Sequence, residues 1–202
     1  LQVSREVGGG AILILQSYCL FLFLYAATLS RTLGARYLEA TASMSDRAQQ
    51  LRNILAHKIA SFMGAEEKRV TGVPGLVLSR RTAPTAPASG TYEPSLAVVA
   101  QGRKRVELGR STFIFDESRF LLTSLDLPII GQVIQASEQA PFLCLLLKLE
   151  MPVVRELLSS GEMHATEVAQ GHPAMATGEV TVELLDACCR LVSVSHDRSR
   201  CR

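Results

Sequence analysis

YEPSLAVVAQGRKRVELG, residues 92–109, holds the dense basic cluster of the chain's best-patterned region, and two readings compete for it. Arg103-Lys104-Arg105 is either a nucleic-acid contact or the charged rim of a β-hairpin. Alternation decides between them. A strand sends successive side chains to opposite faces. Arg103, Arg105 and Glu107 then share one face, and Lys104, Val106 and Leu108 the other. A face carrying both signs of charge reads as the solvent side of a strand, and Gly102 as the turn that begins it. The stretch is thus read as part of an antiparallel sheet rather than as a DNA contact.

Outward from this hairpin the same texture runs from Gly72 to Glu150. Short apolar runs (GLVLSRR, SLAVVAQ, RVELG, TFIF, RFLLTSL, IIGQVIQA, FLCLLLKLE) alternate with turn residues such as Ala83-Pro84, Gly109, Asp116-Glu117-Ser118 and Asp126-Leu127-Pro128. Many short strands with frequent turns predict an antiparallel barrel or sandwich over 72–150. In the last run Leu143, Leu145, Leu147 and Leu149 share one face. Phe142, Cys144, Leu146, Lys148 and Glu150 share the other, as expected of a strand covering a barrel interior.

Helical patterns flank the strands. Leu51, Ile54, Leu55, Ile59 and Phe62 recur at helical spacing, which predicts a helix over 46–63 with Ser45 or Asp46 as N-cap and Gly64 at its end. Pro152 and Gly161 bracket a short helix over 152–160. Residues 162–178 are polar and read as a loop or weak helix. A last helix is expected over 178–193, with Val180, Leu184, Ala187, Cys188 and Leu191 along one stripe. That stripe suits packing on the barrel or a helix-pairing seam with a second subunit. Residues 198–202 read as a disordered tail.

Residues 1–43 differ from the rest. AILILQSYCLFLFLYAATL, residues 11–29, is near the length that crosses a bilayer. It reads as a membrane anchor, as a signal peptide with Ala40-Thr41-Ala42 as an outlying cleavage site, or as upstream sequence read in frame before a start at Met44.

Composition narrows the function. The 202 residues carry a net charge of +2, no Trp and 5% aromatics, which speaks against polyanion binding by charge or by base stacking. Five cysteines (Cys19, Cys144, Cys188, Cys189, Cys201) lack a framework spacing and read as reduced thiols of a cytoplasmic protein. The inner membrane is the alternative location if residues 11–29 anchor the chain. None of the four histidines (His57, His164, His172, His196) falls between Gly72 and Glu150, so a histidine-based metal site in the barrel is not expected. Cys188-Cys189 are neighbours that point apart on a helix, which suits packing better than ligation. No Walker loop, G-x-G-x-x-G, H-E-x-x-H, C-x-x-C or G-x-S-x-G motif occurs.

VPGLVLSRRTAPTAP (73–87), YEPSLAVVAQGRKRVELG (92–109), FLLTSLDLPIIGQVIQAS (120–137) and PFLCLLLKLE (141–150) together resemble the N-terminal domain of AraC-type bacterial transcription regulators. The likeness runs in order from about Leu51 to Val192 and assigns residues 44–197 to that domain. It implies a mainly β fold: a cupin-like jelly-roll barrel with an N-terminal helix and C-terminal helices. It also implies an effector-sensing and dimerisation role, with neither catalytic residues nor a cofactor or metal. DNA would be read by a separate helix-turn-helix domain, before which this chain is truncated, so no direct DNA binding is expected of it. The implied partners are a small-molecule effector, a second copy as homodimer, and intact regulators as heterodimers. Barrel mouths are common ligand sites. The polar residues set among the strands there, Tyr92, Ser95, Gln101, Ser124 and Gln132, are the effector-binding candidates. A metal-independent cupin-like isomerase or lyase and a membrane-tethered sensor are the alternatives.

Overall fold

The computed structural model describes residues 36–159 and 174–200. The apolar run 11–29, Cys19, Cys201, Gly161, His164 and His172 lie outside the described residues, and so do the readings placed on them. Among the described residues, no helix is long and apolar enough to cross a membrane.

Among the described residues, ten strands form two antiparallel sheets. The first takes β1 (Lys68–Val70), β2 (Leu76–Arg81), β9 (Phe142–Lys148), β4 (Ser95–Gln101), β7 (Arg119–Thr123) and β10 (Met175–Glu179), in that spatial order. The second takes β3 (Ala88–Tyr92), β8 (Leu127–Gln135), β5 (Arg103–Leu108) and β6 (Ser111–Asp116). The helices of the described residues are α1 (Arg36–Met63), α2 (Met151–Ser159) and α3 (Val182–Arg200). The expected cupin-like barrel with flanking helices is present, as a flattened barrel of two facing sheets.

The six-stranded sheet is buried on both faces. Between the sheets lie Ala97, Val99, Val106, Leu108, Phe115, Leu121, Ile129, Val133, Phe142, Cys144 and Met175. On the other face Val98, Leu122, Leu143 and Leu145 meet Leu55, Ile59, Phe62 and Met63 of α1 and Leu185, Cys188, Cys189 and Val192 of α3. Each buried Leu or Ile removed from water contributes about 1.5–3 kcal/mol. The all-leucine face of β9 therefore lies under the helices, while Phe142 and Cys144 line the sandwich interior.

Several elements differ from the sequence expectation. α1 begins at Arg36 rather than at 46, so Ser45 and Asp46 sit inside the helix and not at its cap. RYLEATASM contains neither Gly nor Pro, and the compositional break at Met44 carries no helix stop. β3 occupies the polar stretch ASGTY, and β8 runs through Pro128, which pairs only with Thr91 of β3 at the end of the strand where β5 does not reach. β10 arises where a loop or weak helix was expected, by pairing along the whole of β7. Its Gly178 is required there, because a Cβ would lie 2.3 Å from the Phe120 ring. The last helix starts at Val182, not 178, where Thr181 caps it by accepting from the Leu184 amide at 3.2 Å. It continues to Arg200, into the stretch read as a tail.

A joint of polar contacts fixes the turn by which the chain crosses from β4 in one sheet to β5 in the other. Gly102 turns the chain at φ +88, and its amide donates to Glu117 Oε1 at 2.8 Å. The Glu117 carbonyl accepts from Arg52 Nε of α1 at 3.0 Å. Asp116 accepts from the Ser118 amide and hydroxyl and pairs with Arg103 at 3.2 Å. Partial burial works against the Asp116 carboxylate, but the Ser118 and Arg103 contacts together hold its pKa below the ordinary value.

Two outcomes follow from this joint. Gly102→Ala should cost about 1–3 kcal/mol in urea unfolding. Its Cβ would lie 2.6 Å from the Gln135 carbonyl oxygen in a backbone conformation that alanine disfavours. Asp116→Asn should cost about 1 kcal/mol near neutral pH. Because the folded pKa of Asp116 is depressed, its contribution is present above the unfolded pKa and is lost as pH falls through the folded one. The stability gap between wild type and variant should therefore close below about pH 4, and a gap unchanged in acid would refute the assignment.

Candidate functional site at the open edge of the sandwich

The two sheets approach each other unevenly. β6 packs against β4, β7 and β10 and seals one edge. At the other edge lies β3, whose register with β8 sets Ala88 opposite Gly131, Gly90 opposite Ile129 and Tyr92 opposite Leu127. Residues directly opposite share a face. Ile129 is in the interior cluster, so Ala88, Gly90 and Tyr92 face inward too. Ala88 and Gly90 are nonetheless exposed, and a Cβ built on Gly90 would meet nothing within 4 Å. Among the described residues, nothing covers the interior along β3.

Lys104 occupies this edge from within. It shares its parity with the buried Val106 and Leu108, and its partners in register are Phe115 and Val133, both of the interior cluster. Its stem passes across Gly131, where a Cβ would lie 3.6 Å from Cε and 4.0 Å from Nζ. Its ammonium rests 5.4 Å from the centroid of the Tyr92 ring, a cation–π arrangement. The side chain is half-buried, and among the described residues it forms no ion pair. Arg103 and Arg105, its neighbours, point outward and pair with Asp116 and Glu107, each at 3.2 Å. The basic cluster of the hairpin is therefore two neutralised rim arginines and one inward lysine, which is no surface for a phosphate backbone.

The five candidate residues scatter. Tyr92 reaches the open edge beneath Lys104. Ser95 is buried at the start of β4 and donates to the Glu93 carbonyl at 2.8 Å, closing its own turn. Gln101 donates to the Pro141 carbonyl at 2.9 Å at the bulged end of β4. Ser124 is buried beyond β7, with its hydroxyl 3.3 Å from the Ala174 carbonyl. Gln132 lies on the outer face, between Arg105 and the Thr85 carbonyl, because Gly131 and Val133 take the inward parity. Tyr92 alone of the five joins Lys104. Alternation puts Lys104 on the face of Val106 and Leu108, but no local signal in the sequence shows that this face opens to solvent at β3.

A cleft of about 350 Å³ lies at the end of the six-stranded sheet. Glu93, Asp126 and Glu150 surround it with Lys148, which pairs with Glu93. Its charge is predominantly negative. Among the described residues no three histidine, cysteine or carboxylate side chains are grouped so as to hold a metal ion.

Cys144, Cys188 and Cys189 are buried free thiols. Burial pushes Cys144 up to about 11, against the pull of the Lys104 charge. Burial, with Cys189 and Cys144 adding to it, raises Cys188 to about 12. Alkylation by iodoacetamide at pH 8 should leave both unmodified in the native protein and label both after unfolding. Rapid native labelling of Cys144, read by peptide mass spectrometry, would contradict the packing described above.

ToxT from Vibrio cholerae strain SCE256, in an apo variant form, is 9% identical over 64% of this chain and 53% of that one, with a TM-score of 0.42. ToxT from Vibrio cholerae O395 is 7% identical over 63% and 45%, with a TM-score of 0.42. The SCE256 protein with bound unsaturated fatty acid is 9% identical over 65% and 50%, with a TM-score of 0.38. The chain spans about half the length of these structures. No curated protein sequence matches it. The family defined as the AraC-type transcriptional regulator N-terminus matches residues 72–201, a span that takes in every strand from β2 to β10 and both later helices. The chain belongs to that family.

Proposed function

We propose that this protein is the effector-sensing and dimerisation part of an AraC-type regulator. The observation that carries the reading is the unequal closure of the sandwich: one edge is packed with aromatic and aliphatic side chains, and the other is uncovered along β3 over an inward Lys104 and Tyr92. Such a mouth is where a small molecule enters a barrel of this kind.

The route from ligand to helices is short. A molecule seated between β3–β8 and the facing sheet presses on β9 through Cys144, while Leu143 and Leu145 on its opposite face hold α1 and α3. A ligand that binds one packing of this layer better than another shifts the population of helix positions. The output surface is α3. The stripe expected from sequence divides: Val180 precedes the helix and is buried, and Cys188 is buried in the protomer core. Ala187 and Val194 are exposed, and Leu184 and Leu191, which pack partly on the protomer core, keep part of their surface accessible. This row repeats at three- and four-residue steps, which suits pairing with α3 of a second copy, or with the same helix of an intact regulator.

A double variant, Ala187→Arg with Leu191→Glu, should convert a dimer into a monomer in sedimentation velocity with an unchanged far-ultraviolet circular dichroism spectrum. A wild-type chain that sediments as a monomer at every concentration would end the dimer reading. The sensing reading predicts that a bound small molecule slows amide exchange in β3, β8 and β9 and alters it in α3. A ligand that protects β3 and leaves α3 untouched would sever the proposed link.

A further inference from the structure

We propose that Lys104 is the anchor for the anionic end of the effector, and that the effector is a small monocarboxylate with an apolar body; this deepens the sensing reading and rests on it. The surroundings of the ammonium carry the argument. Along β5 and its neighbours on the inner face, Lys104 is flanked by Phe115, Val133, Val106 and Gly131, with Tyr92 beneath the charge. A half-buried cation in apolar surroundings loses part of its hydration, and an aromatic face returns only a fraction of that loss. The lysine is long enough to turn toward the open edge, and the missing side chain at Gly131 gives its stem room to lie flat along β8. The charge is thereby held at the mouth of the interior, where a counter-ion arriving from solvent meets it first.

The class of anion follows from what else is present. One ammonium supplies a single point charge without the planar fork of a guanidinium. The nearest arginines in sequence, Arg103 and Arg105, are turned outward and already paired. Phosphate sites generally gather several donors or a helix N-terminus, and no second cation joins Lys104 on the inner face among the described residues. A single carboxylate matches one ammonium and leaves the rest of the ligand to apolar contact with Leu127, Ile129 and Tyr92. The cleft at the end of the six-stranded sheet does not compete for the same ligand, since Glu93, Asp126 and Glu150 would repel it.

The full chain should be titrated calorimetrically with benzoate, phenylacetate and straight-chain carboxylates from butanoate to dodecanoate. The corresponding primary alcohols serve as neutral twins, and inorganic phosphate as a rival anion. At least one carboxylate is expected to bind about tenfold or more tighter than its alcohol, with phosphate weaker. Lys104→Met, similar in length and free of charge, should lose this preference while keeping the affinity for the alcohol. Lys104→Arg should retain most of the preference, which separates loss of the charge from loss of the fold. Equal binding of acid and alcohol, a preference that survives in Lys104→Met, or phosphate binding as tightly through Lys104 would overturn the monocarboxylate anchor and leave the sensing reading standing. Failure of every acid and every alcohol to bind would overturn both.

Discussion

The structure depends on one constraint: the central strands of the six-stranded sheet, β4 and β9, are apolar on both faces and must be covered twice. Leu143 and Leu145 are as deeply buried under α1 and α3 as Phe142 and Val99 are between the sheets. Neither cover alone suffices. Stripping off α1 would expose Leu55, Ile59, Phe62 and Met63 together with the leucine face of β9, and opening the second sheet would expose Val99, Phe142 and Cys144. The sandwich and its helices are for this reason a single cooperative unit, and any change in the spacing of the sheets is felt in the helical layer.

Polar contacts give this coupling a preferred direction. Glu117 receives the Gly102 amide on its side chain and Arg52 of α1 on its carbonyl, so one residue ties the hairpin carrying Lys104 to the first helix. Lys58 of α1 donates to Ser193 of α3 at 2.7 Å, which joins the two helices to each other. Hydrogen bonds of this kind are worth only about 1 kcal/mol each, yet they fix register where apolar packing would tolerate sliding. The chain of contacts from Lys104 through the β4–β5 turn to α1 and then α3 is continuous, and it complements the route through β9.

Much of the fold was legible because its signals are local. Alternation in RKRVEL gave the facing of β5 correctly, with Val106 buried and Arg105 on the outer side, and the leucine run of β9 announced a strand, though not that its leucine face lies under the helices while Phe142 and Cys144 face the other sheet. What remained illegible depended on partners distant in sequence. MATGE becomes β10 only because β7 is there to pair with it and because Phe120 needs the bare backbone of Gly178. Gln132 looked like a pocket residue until the pairing with β5 and β3 set its parity. Lys104 was placed on the apolar face by its own periodicity, but a period states which side a residue faces and not whether that side is sealed. Sealing is a property of the distance between sheets, which no single strand encodes.

The inner face shows how that distance is set. Near β6 it is filled by Phe115, Leu121 and Met175, each almost wholly buried. Near β3 the same face carries, beside Tyr92 and Ile129, the positions Ala88, Gly90 and Gly131 with little or no side chain. Interiors pack densely, so sheets approach until their side chains touch or until something else occupies the gap. Small residues in successive strands at one edge, with aromatic ones at the other, leave space rather than a closer approach as long as the packed edge and the turns hold the sheets at a fixed separation. A valine or leucine at position 104 would fill part of that space and add burial energy. The chain instead places there the one type of side chain that gains least from an apolar interior and most from an anion entering it. On packing grounds alone Lys104 is a poor choice; beside an uncovered edge and a tyrosine ring it is a sensible one for a site that is complete only when occupied.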